Sequence, residues 1–119
     1  MKLNPEFKTA WIKALRSGEY TQGTRTMLDS QNRFCCLGVA CRISNPELSI
    51  LGNTMPPANL VAQWFGVPED KIDLGWANVD QAHARNFTVR VNGQSWTLPE
   101  LNDGGCDFLR IADIIEEQL

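Results

Sequence analysis

The residues whose types could carry chemistry are four cysteines and one histidine, His83. Cys35, Cys36 and Cys41 share one short apolar segment, whereas Cys106 lies far along the chain. Thiolate and imidazole are zinc ligands, but structural zinc sites prefer Cys-x2–4-Cys pairs. Cys35 and Cys36 are adjacent and would point to opposite faces of a strand. The spacing therefore favours small buried thiols over a metal site, and no cofactor is implied.

A more specific alternative for the cysteine segment is a role in nucleophilic catalysis. A thiol at a helix N-terminus ionises more easily, because the helix dipole stabilises negative charge there. A cysteine-dependent hydrolase or transferase would use Cys36 or Cys35 as nucleophile and His83 as base. Asn102 or Asp103 would orient the histidine. A lone histidine in a polar stretch is more often a surface residue, so this hypothesis stays secondary to a non-catalytic role.

Two further groups of residues are candidates for binding. The segment Asn102-Asp103-Gly104-Gly105 could line a pocket, but it lacks the alternating oxygen ligands and later glutamate of an EF-hand loop. It is typical of a turn whose side chains cap the following helix. Trp76 and Trp96 lie outside the predicted helix faces, and exposed tryptophan often anchors a protein interface. Packing into the core is the alternative for both.

The overall composition limits the classes of partner that we expect for this protein. The chain has 119 residues, a net charge of −3 and a pI of about 5.0. We expect one domain spanning 1–119 and no attraction to nucleic acid. No apolar run has the length of a signal peptide or a membrane span. These features predict a cytoplasmic protein with reduced thiols.

Three helices are predicted from capping residues and apolar spacing. Asn4 and Pro5 begin a helix over 5–16 with one apolar face. A second helix runs from Pro57 to Gly66, and a third begins near Asp107. The segment from Cys35 to Ile43 fits either a strand end or a buried helix.

Two β-hairpins complete the prediction. Runs 87–91 and 94–98 flank Asn92-Gly93, which favours a type I′ turn because that turn needs positive φ at both central residues. Runs 25–28 and 33–36 flank a group of turn formers. Hairpins in one sheet, packed with N-terminal, central and C-terminal helices, give an α+β fold.

Three segments in order resemble small uncharacterised proteins of tailed bacteriophages and prophages. They are Trp11 to Gln22, the Cys-Cys-Leu-Gly-Val-Ala-Cys run over 35–41, and Leu101-Asn-Asp-Gly104 followed by Phe108 to Glu116. The resemblance implies a phage accessory protein in the cytoplasm of the bacterial host. It implies no activity for any individual residue.

Three hypotheses for function follow. The leading one is a non-catalytic protein that binds or modulates a host or phage protein, without nucleic acid or membrane. The second is the cysteine-dependent enzyme. The third is a nucleotide or small-molecule binder with a pocket between the hairpins and the last helix.

Overall fold

The structure is a computed structural model that describes residues 2–72 and 84–119, and the α+β prediction is confirmed. The described part contains five α-helices and two separate two-stranded sheets. The helices are α1 Pro5–Arg16, α2 Cys36–Ser44, α3 Ala58–Phe65, α4 Leu98–Asp103 and α5 Phe108–Gln118. The strands are β1 Thr21–Gln22, β2 Arg33–Phe34, β3 Thr88–Val91 and β4 Gln94–Thr97, and the 3₁₀ turns are Glu69–Lys71 and Ala84–Phe87. None of the described helices is long and apolar enough to cross a membrane.

Helix α1 forms where its capping residues predicted it. The Asn4 side chain accepts a hydrogen bond from the Glu6 N–H at 2.9 Å, and Pro5 occupies the first turn. Its apolar face buries Trp11 and Leu15 against the rest of the domain. The helix ends at Arg16, which lies within 3.0 Å of two carboxylates of α5. The boundaries 5–16 are confirmed.

The second hairpin is also confirmed. Asn92 and Gly93 have φ of 54° and 80°, as a type I′ turn requires. The strands pair antiparallel, and Val89 lies opposite Trp96. The outer edge of β3 is covered by Gln118 of α5, whose side-chain amide accepts from Arg90 N–H at 2.8 Å and donates to Arg90 C=O at 2.7 Å.

The first hairpin was predicted wrongly. Strand β2 pairs in parallel with β1, and residues 25–28 contribute only two isolated bridges, both from Leu28, to Phe34 and to Leu51. Arg25 has a φ of 74°, a left-handed conformation that interrupts an extended strand. Met27 instead packs on α2, where a Cβ at Gly38 would overlap its carbonyl oxygen. The two sheets are therefore separate and do not form one sheet.

Helix α4 takes up the first two residues of the turn predicted at 102–105. Thr97 and Glu100 form a capping box, in which the Thr97 hydroxyl accepts from Glu100 N–H and the Glu100 carboxylate accepts from Thr97 N–H. Asn102 and Asp103 consequently lie in the last turn of α4 and do not cap α5. The cap of α5 is Asp107, as predicted, since its carboxylate accepts from Arg110 N–H at 2.8 Å.

The core contains two of the tryptophans. Trp11 and Trp64 are 0% and 1% exposed, and both contact the ring of Phe87. Each indole N–H has a partner: Trp11 donates to the Cys36 carbonyl at 3.0 Å, and Trp64 donates to the Ser44 hydroxyl at 2.8 Å. These bonds satisfy the polar end of each buried ring.

Candidate functional site

Four residues selected from the sequence meet where α2 begins. Cys35 is the N-cap of α2, and Cys36 opens its first turn. The Cys36 N–H donates to the Asn102 side-chain oxygen at 3.2 Å, and Asp103 follows Asn102 at the end of α4. His83 and Trp76 lie outside the described residues, so the roles predicted for them stay predictions.

Asn102 is at the centre of this cluster. It is fully buried, and it is the one polar side chain in that position among the described residues. Its oxygen accepts from Gln22 Nε2 at 3.0 Å and from the Cys36 N–H. Its nitrogen donates to the Gly23 carbonyl at 2.8 Å and to Asp103 Oδ1 at 3.5 Å. Both donors and both acceptor positions are therefore used within the protein.

Gln22 is the residue of this cluster that the sequence did not identify. Its Nε2 also donates to the Cys106 carbonyl at 2.8 Å, and its Oε1 accepts from the Phe108 N–H at 3.1 Å. It thus satisfies one of the free N–H groups in the first turn of α5. The only sequence signal was its place at the end of the first segment of the phage resemblance. We call Gln22, Cys36 and Asn102 the polar cluster, and each belongs to a different one of those segments.

Asp103 has a structural partner as well. It is exposed, and its Oδ1 accepts from the Arg25 N–H at 2.8 Å. This bond holds Arg25, which is in the left-handed conformation, against the end of α4. The Asp103 carboxylate therefore helps to hold residues 25–28 next to the polar cluster.

The thiols of Cys35 and Cys36, at the start of α2, are held in the protonated form. Burial raises the pKa of Cys35 to about 11, although the Gly38 and Leu37 N–H groups at the helix N-terminus act in the opposite direction. Burial, followed by the nearby charge of Cys35, raises the pKa of Cys36 well above its ordinary value. Loss of hydration therefore outweighs the stabilisation of a thiolate by the helix N-terminus. A protonated, buried thiol is a poor nucleophile at neutral pH.

Cys41 and Cys106 do not form a reactive centre with Cys35 and Cys36. Burial raises the pKa of Cys41 to about 12, and its sulfur lies 3.7 Å from that of Met27. Cys106 is half-buried, and burial and the charge of Asp107 raise its pKa. In residues 2–72 and 84–119 no three His, Cys, Asp or Glu side chains are placed to hold a metal ion.

A cavity beside the last helix does not coincide with the small-molecule pocket predicted between the hairpins and that helix, because none of its lining residues belongs to a predicted hairpin. It has a volume of about 320 Å³ and lies between α1 and the start of α5, with Tyr20, Gln22 and Leu109 in its walls. Asn102 and Asp103, the polar residues proposed for such a pocket, do not line it. The predicted binding residues and this cavity are therefore separate features.

Trp96 differs from the two buried tryptophans. It is 36% exposed on β4, although its cross-strand neighbour Val89 is only 2% exposed. The other exposed large hydrophobic side chains in the described part are Leu51 and Leu109. Trp96 therefore lies at the edge of the core with about a third of its surface open to a partner.

The fold and the polar cluster define a small α+β domain in which separated sequence motifs meet in a buried hydrogen-bond network. The chain belongs to the family described as a domain of unknown function (DUF8296), whose model matches residues 3–119. No curated protein and no solved structure matches the chain.

Proposed function

We propose that this protein is a small non-catalytic binding protein that acts on a host or phage protein in the bacterial cytoplasm. The observation that carries the proposal is Trp96, which is 36% exposed while Trp11 and Trp64 are buried. The phage and cytoplasmic setting is supported by the resemblance of the three sequence segments. The proposed contact surface is the β3–β4 hairpin around Trp96.

The chemistry of the polar cluster supports binding over catalysis. The Asn102 amide has all its hydrogen-bonding positions filled by protein groups, and Cys35 and Cys36 are buried and protonated. A catalytic site needs a nucleophile and polar groups that a substrate can reach. Here those groups join α2, α4 and β1 to one another, so the motif residues stabilise the fold.

The hairpin is suited to present an anchor residue. Its turn has the backbone twist that matches the strands, and Gln118 ties Arg90 to α5 with two hydrogen bonds. A tryptophan held on such a scaffold loses little conformational freedom when it binds. Tryptophan is also among the residues that contribute most to protein interfaces.

The proposal is tested by affinity purification from a lysate of phage-infected bacteria, using tagged wild-type protein, Trp96→Ala and Leu51→Ala. Leu51 is the matched control, because it is a large hydrophobic side chain that is 60% exposed. We expect a specific partner whose affinity falls by about tenfold or more with Trp96→Ala and is unchanged with Leu51→Ala. Thermal melts establish that both variants remain folded.

Two results would contradict the proposal. One is the absence of any partner enriched over a tag-only control. The other is a partner that folded Trp96→Ala retains at the wild-type level, since the hairpin would then not be the contact surface.

A further inference from the structure

We propose that a groove along α1 is a second binding surface, and that its occupant is an acidic amphipathic helix of a partner protein. The groove lies between α1 and the C-terminal half of α5 and is independent of Trp96. Its walls include Lys8, Ile12, Lys13 and Arg16 of α1 and Glu116 of α5. We call it the α1 groove.

The shape of the α1 groove suits a helix. Its open volume is about 640 Å³, enough to receive several side chains. Residues four apart along α1 and its C-cap form two parallel rows in the wall of the groove. The rows are Lys8, Ile12 and Arg16, and Thr9, Lys13 and the C-cap Ser17. The side chains of a second helix can pack into the channel between two such rows. Ile12 is the apolar side chain among the lining residues, and 8% of its surface is exposed.

The charges around the α1 groove select an acidic occupant. Arg16 is already paired with Asp113 at 2.7 Å and with Glu116 at 3.0 Å. Lys8 and Lys13 form no ion pair within the described part of the chain. Carboxylates of a partner would complement these two lysines, in a protein whose net charge is otherwise −3.

Glu116 distinguishes a helix from other anionic occupants. Its carboxylate lies on the α5 side of the α1 groove, where it repels a phosphate or a membrane headgroup that fills the whole channel. A membrane surface is recognised by clusters of roughly four to eight basic residues, whereas only two unpaired lysines are present here. A helix can place carboxylates next to Lys8 and Lys13 and keep its uncharged side near Glu116.

The probe for this proposal is a fluorescently labelled synthetic peptide of about 15 residues, which is roughly four helical turns. Leucines follow helical spacing on one face and glutamates flank that face. A peptide of the same composition in scrambled order is the first control. Anionic phosphatidylglycerol vesicles form the second, because they present negative charge without a helix. Binding is measured by fluorescence anisotropy at low salt, and the contact surface is mapped by amide shifts in NMR spectra.

The matched pair of variants is Lys13→Glu and Lys71→Glu. Both lysines are exposed and both substitutions change the charge equally, but Lys71 lies in the Glu69–Lys71 turn and outside the α1 groove. We expect Lys13→Glu to lower the affinity for the amphipathic peptide by about tenfold, and Lys71→Glu to lower it by less than about twofold. If Lys13→Glu does not fold, Lys13→Gln, which only removes the charge, should weaken binding by about threefold.

Four results would overturn the proposal: no binding of the amphipathic peptide, equal binding of the scrambled peptide, equal losses in the two charge variants, or binding to the vesicles alone. Trp96→Ala should bind the peptide as wild type does. Failure of the Trp96 surface and failure of the α1 groove are therefore separate outcomes.

Discussion

Replacing Asn102 with alanine should remove much of the stability of this domain. The substitution deletes the amide that joins β1, α2 and α4. It leaves two backbone groups without their partner, the Cys36 N–H and the Gly23 carbonyl. The Cys36 N–H lies in the first turn of α2, where no carbonyl of the same helix can accept it.

The expected loss follows from the burial of those two groups. Cys36 is 0% exposed and Gly23 is buried, so water does not readily replace the lost bonds. A buried polar group without a partner costs about 1–3 kcal/mol. Two such groups give a loss of about 2–6 kcal/mol, against a total of about 5–15 kcal/mol for a typical domain.

The free energy of unfolding is measured by urea titration at pH 7, followed by tryptophan fluorescence. Asn59→Ala is the matched control, because Asn59 is exposed on α3 and its loss should change stability by less than about 0.5 kcal/mol. If Asn102→Ala does not fold, Gln22→Ala serves as the milder variant. Gln22 is only half-buried, and its loss should cost about 1–3 kcal/mol.

The reasoning would be refuted by a folded Asn102→Ala that loses less than about 1 kcal/mol and keeps wild-type hydrogen-exchange protection at the Cys36 amide. That result would mean that the polar cluster adds no net stability over an apolar replacement.

Three further predictions concern the packing and the thiols. Gly38→Ala should lower stability by about 1–3 kcal/mol in the same titration, because its Cβ would overlap the Met27 carbonyl; wild-type stability would contradict that packing. Stability should fall as pH rises from 9.0 towards about 11, because the unfolded chain loses the Cys35 proton while the folded protein keeps it. Cys35→Ala should reduce this fall by about 2–3 kcal/mol at pH 11, and an unchanged pH profile would show that Cys35 titrates normally. Iodoacetamide at pH 7.5 should modify Cys106, the half-buried thiol, well before the three buried thiols; mass spectrometry after digestion would reveal the opposite order.

Helix α4 begins with a local sequence signal that the prediction missed. Thr97-Leu-Pro-Glu100 is a capping-box pattern with proline in the first turn. The following Asn-Asp-Gly-Gly run favoured a turn, because those residues are common in turns. The capping box and the burial of Leu98 and Asn102 stabilise a short helix instead.

Local patterns in the sequence were enough to predict α1, α3, α5 and the β3–β4 hairpin. Each depends on residues within about one helical turn or one tight turn of each other: the Asn4 and Asp107 caps, the Asn92-Gly93 turn and the left-handed Gly66. Their energetics are local, so pattern and spacing predict them.

The parallel pairing of β1 with β2 and the assembly of the polar cluster could not be predicted from local patterns, because both depend on how distant segments pack. Gln22 and Asn102 are 80 residues apart, and Cys36 and Asn102 are 66 apart. Such contacts form only after the helices have packed, because nothing local specifies which distant polar groups will be buried together. The same packing decided the state of the cysteines: the position of Cys36 at a helix start favoured a thiolate, and burial in the core reversed that preference.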